Sequence, residues 1–357
     1  MARSRPVRSG TLPTAAPDRR ACVAIPIGDP GGIGPEVVVQ ALQQGPLPGD
    51  ALPVLIGGLS ACRRAGWKPD SRWVTTPPGP EPPRPPSEAI SGWAIDLDPA
   101  SPLPAPAAVD PANGRAALCY LDHAIRLVLD GHVDAIATGP VSKEAIHRSG
   151  TPFTGHTEYL AAAAHVRRTV MLCVAGPLRV AFVTTHVPLR KVPALITPSR
   201  IVETATITHR ALHDDLGIHR PRLAVCALNP HAGEGGTLGR EEQRVIAPAL
   251  AELSRRGIPC DGPVPGDTVY REAAAGRWDA VIALYHDQGM IPIKSAWESG
   301  PVNITLGLPF LRTSPAHGTA FDRVGREKAD PRPMRRAIEI AAVSALRRRG
   351  IRQPGLF

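Results

Sequence analysis

The feature that most constrains this 357-residue chain is a series of short, continuous apolar runs that end abruptly at Gly, Pro, His or Asn. Helical periodicity follows each run. The runs lie in ACVAIPIGDPGG, LPVLIGG, VDAIATGPVSK, LRVAFVTTHVPL, RLAVCALNPHAGEGG and WDAVIALYHDQG. Continuous apolar strands between helices are typical of a mostly parallel sheet covered on both faces. The sequence therefore predicts the α/β class, in which ligands bind beyond the carboxyl ends of strands.

Composition indicates a globular protein with an aliphatic core. Hydrophobic residues make up 43% of the chain and aromatic residues only 4%, so Ala, Val, Ile and Leu must fill the core. No run approaches the roughly 20 apolar residues that span a bilayer, so we expect no membrane partner. The six cysteines are scattered singly, which argues against a disulfide framework or a thiolate zinc site and favours a reducing cytoplasm.

The chain is basic, with a formal net charge of +9. Much of the excess lies at the two ends of the sequence, in residues 1–20 and 332–353. No basic stripe with interleaved aromatics and no nucleic-acid module is present, so we expect no nucleic-acid partner. A solvated basic surface and an anionic small substrate both explain the charge.

Two segments differ from the rest. Residues 1–20 lack the apolar centre of a secretory signal, and we expect a disordered basic tail. Residues 75–115 are rich in proline, which opposes helix and central strand, so we expect a long surface excursion.

The first apolar run ends in the glycine-rich motif GDPGGIGPE. Gly31, Gly32 and Gly34 permit a tight turn, and Pro35 suits the first turn of a helix. The spacing matches neither the dinucleotide-binding fingerprint nor the P-loop. A simple strand-to-helix turn and a loop lining an active-site cleft both remain open.

Histidines follow three of the predicted strands: His186 in VTTHVPL, His231 in LNPHAGEGG and His286 in LYHDQG. A single histidine at a strand end is commonly structural. Three at equivalent strand ends would converge on one edge of a parallel sheet, where neutral imidazoles suit Zn²⁺, Co²⁺ or a similar ion. Spacing alone leaves both interpretations open.

Other polar residues suit an anion. Thr157 is a candidate N-cap for an Ala-rich helix, and His156 could add a donor beside the helix amides. Lys294, Asn303 and Arg312 supply two cations and an amide of the kind that a phosphate or carboxylate requires. Capping and surface charge are the alternatives.

Eight segments resemble the 4-hydroxythreonine-4-phosphate dehydrogenase family of pyridoxal 5′-phosphate (vitamin B6) biosynthesis. They are GDPGGIGPE, GPVSKEAI, PFTGHTEYL, TTHVPLR, LNPHAGEGG, GREE, YHDQGMIPIK and VNITLGLPFLRTSPAHGTAFD. The resemblance runs from about Ala21 to about Ala329, without the proline-rich stretch. It implies oxidation of 4-phosphooxy-L-threonine by NAD⁺ or NADP⁺ to a 3-oxo acid, which decarboxylates to 3-amino-2-oxopropyl phosphate.

The resemblance also implies site residues. A divalent metal (Zn²⁺, Mg²⁺ or Co²⁺) is held by the three histidines that match His186, His231 and His286. The family's substrate contacts match His156, Thr157, Lys294, Asn303 and Arg312. HGTAFD is similar to the adenosine-binding loop of the isocitrate and isopropylmalate dehydrogenases, which makes His317 and Gly318 candidate cofactor contacts.

Three residues are catalytic candidates: Lys294, Asp287 and Asp267. Asp287 adjoins the implied ligand His286, so it either orients that ligand or carries a proton. Asp267, in GPVPGDTVY, is a further carboxylate expected near the site. The identity of the general base stays open.

The family's fold implies two α/β/α domains like those of isocitrate and isopropylmalate dehydrogenases, with mostly parallel sheets and the active site in the cleft between them. Residues 21–150 with 295–357 would form the first domain. Residues 151–294 would form the second, carrying metal and substrate residues. The family is a homodimer whose site is shared across the interface.

Other functions remain open. Similar proteins act on 4-phospho-D-threonate, 4-phospho-D-erythronate or a cyclohexadiene-diol dicarboxylate, and the pair His156 and Thr157 favours the phosphorylated substrates. A metal-dependent hydrolase could use the same histidines and would turn over substrate without nicotinamide. A phosphometabolite-binding protein would bind without turnover, and a nucleic-acid binder would show salt-dependent DNA affinity.

Overall fold

The computed structural model describes residues 20–70, 73–76, 91–99, 104, 106–296, 300–326 and 329–351. The strands are β1 Cys22–Pro26, β2 Leu52–Gly57, β3 Trp73–Thr76, β4 Gly92–Asp96, β5 Ala135–Ala137, β6 Val170–Ala175, β7 Leu178–Phe182, β8 Leu223–Cys226, β9 Cys260–Val264, β10 Ala280–Ala283, β11 Val302–Leu306 and β12 Leu311–Pro315. The helices are α1 Gly34–Leu42, α2 Leu59–Arg64, α3 Pro111–Leu129, α4 Lys143–Arg148, α5 His156–Ala163, α6 Val192–Leu195, α7 Pro198–Asp214, α8 Ala247–Arg255, α9 Gly266–Ala274, α10 His286–Ala296 and α11 Arg332–Arg348.

These strands form one sheet in the order β3-β4-β2-β1-β5-β12-β11-β6-β7-β10-β8-β9. The first six strands of this order, β3, β4, β2, β1, β5 and β12, pair with their neighbours in parallel. So do the last four, β7, β10, β8 and β9. The pairings β12–β11, β11–β6 and β6–β7 are antiparallel. Because three successive pairings reverse direction, the two parallel groups run in opposite directions. The predicted α/β class with a mostly parallel sheet is confirmed, while the division into two domains stays a prediction.

Each predicted apolar run contains a strand, and every residue of β1, β2, β5, β7, β8 and β10 is buried. Alternate residues of one strand belong to different core clusters. Val180 packs in the cluster that contains Val269 of α9 and Ile293 of α10. Ala181 packs in the cluster that contains Ile201 of α7. Helices therefore cover both faces of this part of the sheet, as continuous apolar strands require.

The two unusual segments are only partly described. The predicted tail, residues 1–19, lies outside the described residues, as do residues 77–90, 100–103 and 105 of the proline-rich stretch. The expectation that residues 75–115 exclude a central strand is wrong at Gly92–Asp96, which forms β4 between β2 and β3. Its sequence GWAID holds no proline, so its amides remain able to pair. Helix α3 begins at Pro111, where the missing N–H is harmless, and Asp110 caps it.

Among the described residues, no helix is both long and apolar enough to cross a membrane. All six cysteines are free thiols, and four of them are buried.

The loop after β1 crosses the loop after β5 in close backbone contact. The N–H of Asp29 donates to the Pro140 oxygen at 2.9 Å, and that of Gly139 donates to the Pro26 oxygen at 2.8 Å. Gly28 has a φ of +80°, and a Cβ there would lie 2.2 Å from the Pro140 oxygen. Glycine is needed here for both its backbone conformation and its lack of a side chain.

Asp29, in the same loop, is a carboxyl group with 0% exposure. Its Oδ1 accepts the Gly31 N–H at 2.8 Å, while its Oδ2 is buried without a hydrogen-bond partner among the described atoms. Burial raises the pKa of Asp29 to about 6, and the charge of Asp110 adds to this; backbone hydrogen bonds from Gly31 and Ser142 oppose it.

We expect Gly28→Ala to lower the free energy of unfolding by about 3 kcal/mol or more, because the new methyl group meets a backbone oxygen that cannot move aside. The matched control is Gly66→Ala, whose φ is +87° but whose Cβ would meet nothing within 4 Å. That control should cost only about 1 kcal/mol. Urea denaturation of both variants makes the comparison. Equal losses would show that the crossing of the two loops is unimportant for stability.

We expect the stability of Asp29→Asn relative to the wild type to depend on pH. The folded-state pKa lies above the unfolded value, so the proton on Asp29 stabilises the wild type fully below about pH 4. This contribution is lost as pH rises through about 6, and it amounts to on the order of 3 kcal/mol. Between pH 4 and 8, denaturation midpoints should show the stability of Asp29→Asn increasing relative to that of the wild type. A constant difference across this range would contradict the prediction.

Candidate active site

The three strands that precede the predicted metal histidines are parallel neighbours in the order β7-β10-β8. Their carboxyl ends therefore lie along one edge of the sheet. His186 follows β7, His286 begins α10 after β10, and His231 lies in the loop after β8. The sheet topology thus gives these three segments a common edge.

His186 and His286 form a pair. Their ring centroids are 5.4 Å apart, and the His286 ring also lies 6.2 Å from that of Phe182. Asp287 Oδ1 is 2.7 Å from His286 Nδ1. Because a carboxylate only accepts, it holds the proton on Nδ1 and leaves the Nε2 lone pair of His286 for another partner. Burial lowers the pKa of His186, as do the charges of Lys143 and His286, which favours the neutral ring.

His231 is separate from this pair. It is exposed, with a left-handed φ of 52°, in a loop that begins at Asn229. Glu242, which is 4% exposed, secures the loop by accepting the N–H groups of Leu228 at 2.9 Å and Asn229 at 2.8 Å. Within the described residues, no three His, Cys, Asp or Glu side chains are arranged to hold a metal ion. One chain therefore presents two imidazoles together and the third on an exposed loop.

Arg312 is a buried cation on β12 with 2% exposure. Its guanidinium donates to Thr138 Oγ1 at 2.7 Å and to Thr305 Oγ1 at 3.3 Å, and its Nε is buried without a hydrogen-bond partner. No carboxylate in the described part of the chain forms an ion pair with it. Burial lowers the pKa of Arg312 to about 9, opposed by the charge of Glu158. A guanidinium in this state is arranged to receive an anion.

His156 adjoins Arg312. It begins α5, and its Nε2 is shielded from solvent without a hydrogen-bond partner. Burial, followed by the charges of Arg312 and Lys143, lowers the pKa of His156 well below its ordinary range, so the ring is neutral. The prediction that Thr157 is the N-cap is wrong. The cap is Gly155, whose extended backbone leads directly into the helix, and Thr157 lies half-buried in the first turn.

Asn303 lies opposite Cys173 of β6 in the β11–β6 pairing, and its Oδ1 is buried without a partner. Burial raises the pKa of Cys173 to about 12, and the charge of Lys294 opposes this rise. Lys294, on α10, therefore acts electrostatically on the strand that pairs with Asn303.

Two charged residues that the sequence patterns did not single out lie in the same region: Lys143, at the start of α4, and Glu158 in α5. A Cβ placed on Gly155 would lie 2.9 Å from Glu158 Oε2 and 3.5 Å from Lys143 Nζ. Lys143 belongs to the segment GPVSKEAI, which carries the family resemblance. Its spacing gave no role, because α4 and α5 meet only in the folded chain.

Of the remaining candidates, Asp267 follows β9 and so lies at the same edge of the sheet as the three histidines, whereas His317 and Gly318 follow β12. Asp267 is in the first turn of α9, where it accepts the Thr268 hydroxyl at 3.1 Å. His317 and Gly318 form a loop after β12 in which His317 Nδ1 is 3.0 Å from the Gly318 oxygen. A Cβ on Gly318 would meet nothing within 4 Å, so this loop has open space beside it. No described contact joins these three residues to the histidine pair.

The chain matches known proteins over most of its length. A family model described as "Pyridoxal phosphate biosynthetic protein PdxA" matches residues 80–341. The 4-hydroxythreonine-4-phosphate dehydrogenase of Burkholderia vietnamiensis is 44% identical over 336 residues, which cover 92% of this chain and 97% of that relative.

Solved structures give the same result. The 4-hydroxythreonine-4-phosphate dehydrogenase from Klebsiella pneumoniae superposes with a TM-score of 0.77 at 37% identity, covering 92% of this chain and 100% of that one. A terephthalate 1,2-cis-dihydrodiol dehydrogenase from Burkholderia xenovorans superposes with a TM-score of 0.63 at 30% identity, covering 94% and 100%. With its sequence and its fold in agreement, this chain belongs to the PdxA family of pyridoxal phosphate biosynthetic proteins.

Proposed function

We propose that this protein is a 4-hydroxythreonine-4-phosphate dehydrogenase of vitamin B6 biosynthesis. It oxidises 4-phosphooxy-L-threonine with NAD⁺ or NADP⁺, in a reaction that depends on a divalent metal. The resulting 3-oxo acid loses CO₂ to give 3-amino-2-oxopropyl phosphate. The name of the relatives supports a dehydrogenase acting on 4-hydroxythreonine 4-phosphate, the family resemblance implies the cofactor, the metal and the decarboxylation, and the side chains described above give physical support.

The observation that carries the proposal is the uncompensated cation Arg312. Its burial costs free energy unless an anion is bound, because no carboxylate of the described chain pairs with it. The adjoining His156 is neutral, so its unpaired Nε2 can carry a proton and donate to the same anion. A phosphate group, with several acceptor oxygens, matches this set of donors. We include Lys294 and Asn303 as further donors in this set.

The histidine pair fits a divalent ion. Two imidazoles that bind one ion at about 2.0–2.1 Å in tetrahedral geometry place their centroids about 5 Å apart. His186 and His286 are 5.4 Å apart, and Asp287 orients one of them. Nitrogen donors favour Zn²⁺ or Co²⁺ over Mg²⁺, which prefers oxygen. When bound, such an ion lowers the pKa of a substrate hydroxyl and withdraws electrons from the forming carbonyl.

The chain's own residues position the substrate between these two groups. Arg312 and His156 hold the phosphate, and His186 with His286 lies towards the hydroxyl that is oxidised. Asp287 accepts a hydrogen bond from Nδ1 of His286 and so holds the ring in place. We therefore assign Asp287 to orienting His286. The open loop at His317 and Gly318 is proposed to receive the nicotinamide cofactor, which accepts the hydride.

A homodimer with a shared site completes the proposal. Exposed apolar side chains accompany each histidine segment: Leu189 after His186, Leu238 after His231, and Ile291 after His286, with Leu189 69% and Ile291 65% exposed. Such residues at one edge of the sheet are typical of an interface. We propose that His231 reaches the histidine pair of a second copy. The six free thiols agree with a cytoplasmic enzyme.

The purified protein, supplied with Zn²⁺ or Co²⁺ and either nicotinamide, should reduce the cofactor with 4-phosphooxy-L-threonine. Absorbance near 340 nm measures the reaction. 4-Phospho-D-threonate, 4-phospho-D-erythronate and a cyclohexadiene-diol dicarboxylate are run in parallel, because similar proteins act on such compounds. The dicarboxylate should be the poorest substrate, since Arg312 and His156 suit a phosphate.

The same assay separates the alternatives. A higher kcat/KM for one of the sugar-acid phosphates would transfer the assignment to that substrate. Release of phosphate without nicotinamide reduction would indicate the hydrolase. No reaction with any compound would refute the dehydrogenase assignment.

We expect His231→Ala to lose bound metal and activity together, because the histidine pair alone supplies only two ligands. Elemental analysis of the dialysed dimer measures the metal, and the nicotinamide assay measures activity. The matched control is His219→Ala, an exposed histidine just before β8 and hence at the opposite edge of the sheet. Full activity in the metal-depleted His231 variant would show that the ligand set is wrong.

Mixing experiments test whether the site is shared. If His231 serves the partner's histidine pair, co-refolded His231→Ala and His186→Ala chains form mixed dimers with one intact site of two. Random pairing should then restore about a quarter of wild-type activity. If all ligands come from one chain, the mixture stays as inactive as its components.

A further inference from the structure

We propose that Lys143 is a further substrate-contacting residue, and that Glu158 positions it. The Lys143 ammonium lies beside Gly155, which directly precedes the phosphate-binding residue His156. It would donate hydrogen bonds both to the substrate phosphate and to the neighbouring hydroxyl oxygen. The inference rests on the proposed dehydrogenase function and extends it to a residue outside the predicted site.

The backbone of Lys143 is fixed by its local structure. Strand β5 leads into the GPVSK segment, and Ser142 caps α4 by accepting the Ala145 N–H at 3.1 Å. Lys143 is the first residue of that helix, so its side chain leaves the chain just beyond a buried strand end. This is the position at which α/β sheets place ligand-binding groups.

Glu158 and Gly155 define where the ammonium lies. The vacant Cβ position of Gly155 is 3.5 Å from Lys143 Nζ and 2.9 Å from Glu158 Oε2. The two charged groups therefore flank one glycine, and the carboxylate attracts the ammonium towards α5. The Gly155 φ of 163° is extended, so its backbone would tolerate a side chain. A side chain at Gly155 would instead fill the space between the Lys143 ammonium and the Glu158 carboxylate.

Lys143 also acts on the phosphate-binding region through its charge. It lowers the pKa of His156, after burial and the charge of Arg312. This agrees with the distance from Nζ to Gly155, which puts the ammonium next to the start of α5.

Lys143 is also free to bind. Among the described residues its Nζ makes no hydrogen bond or ion pair. Arg148, on the same short helix, is bound to Glu144 at 2.6 Å. An ammonium that lies beside the neutral His156 and forms no ion pair with Glu158 gains more from an anionic ligand than from water.

The proposed substrate matches this position. Its hydroxyl-bearing carbon adjoins the carbon that carries the phosphate ester, so both oxygens lie within the span of one ammonium. During oxidation the carbon gives its hydride to the nicotinamide, and the hydroxyl proton leaves to solvent. The Lys143 ammonium donates a hydrogen bond to that oxygen and stabilises its negative charge.

The test compares Lys143→Met, Lys143→Arg and Arg148→Met in the full-length, metal-loaded protein. Lys143→Met should lower kcat/KM by about a hundredfold or more, with the larger part in kcat. Lys143→Arg should recover part of this loss, because it keeps the charge. Arg148→Met removes one charge from the same helix and should change kcat and KM less than twofold. Thermal unfolding confirms that each variant is folded.

A binding measurement does not depend on turnover. Calorimetric titration with inorganic phosphate should show the Kd rising roughly tenfold in Lys143→Met and staying constant in Arg148→Met. Gly155→Ala should resemble a mild Lys143 variant in both measurements, since its methyl group displaces the ammonium and carboxylate. Glu158→Gln should lower kcat, and Glu158→Asp, which keeps the charge, should lower it less.

The outcomes separate this inference from the proposed function. If the wild type reduces nicotinamide but Lys143→Met keeps its kcat, KM and phosphate Kd within twofold, the inference is wrong and the function stands. Equal losses of activity in Lys143→Met and Arg148→Met would show that only the net charge of the helix matters, and this would also contradict the inference. If the wild type is inactive with every substrate, the function fails, and the phosphate titration alone decides whether Lys143 binds an anion.

Discussion

The arrangement of the whole molecule depends on the antiparallel seam formed by β12, β11, β6 and β7. This seam joins two groups of parallel strands into one continuous sheet and reverses their direction. As a result, the carboxyl ends of β5 and β7 point to opposite edges of the sheet. The seam itself carries Arg312 on β12, with Thr305 and Asn303 on β11. A single parallel sheet would instead have aligned all of its strand ends on one edge.

The electrostatics of the site follow from burial at this junction. Arg312 is removed from water without a carboxylate, and His156 is held neutral beside it. An ion pair in place of this arrangement would satisfy the arginine and leave nothing to attract a substrate. The folded chain instead leaves Arg312 without an ion pair and relies on hydroxyl groups, those of Thr138 and Thr305, to hold the guanidinium in position. The free energy lost by burying Arg312 without an anion is regained when the substrate binds, which strengthens binding.

Much of the fold could be predicted from the sequence, because continuous apolar runs report burial directly. All six runs became strands of the predicted type. The strand β4 escaped prediction, since prolines on either side hid a short run that is buried by β2 and β3. The predicted N-cap of α5, Thr157, was wrong by two residues because glycine, as well as threonine, can lead a chain into a helix. Both errors concern local signals that tertiary pairing overrides.

The sequence by itself determined the class of sheet, the aliphatic core and the identity of the polar residues at strand ends, since these depend on side-chain chemistry and short-range periodicity. The tertiary structure alone decided which of those residues meet. It paired His186 with His286 while leaving His231 on an exposed loop, and it brought Lys143 and Glu158 to a common glycine. Such proximities arise from sheet order and helix packing between distant segments, and spacing along a chain carries no record of them.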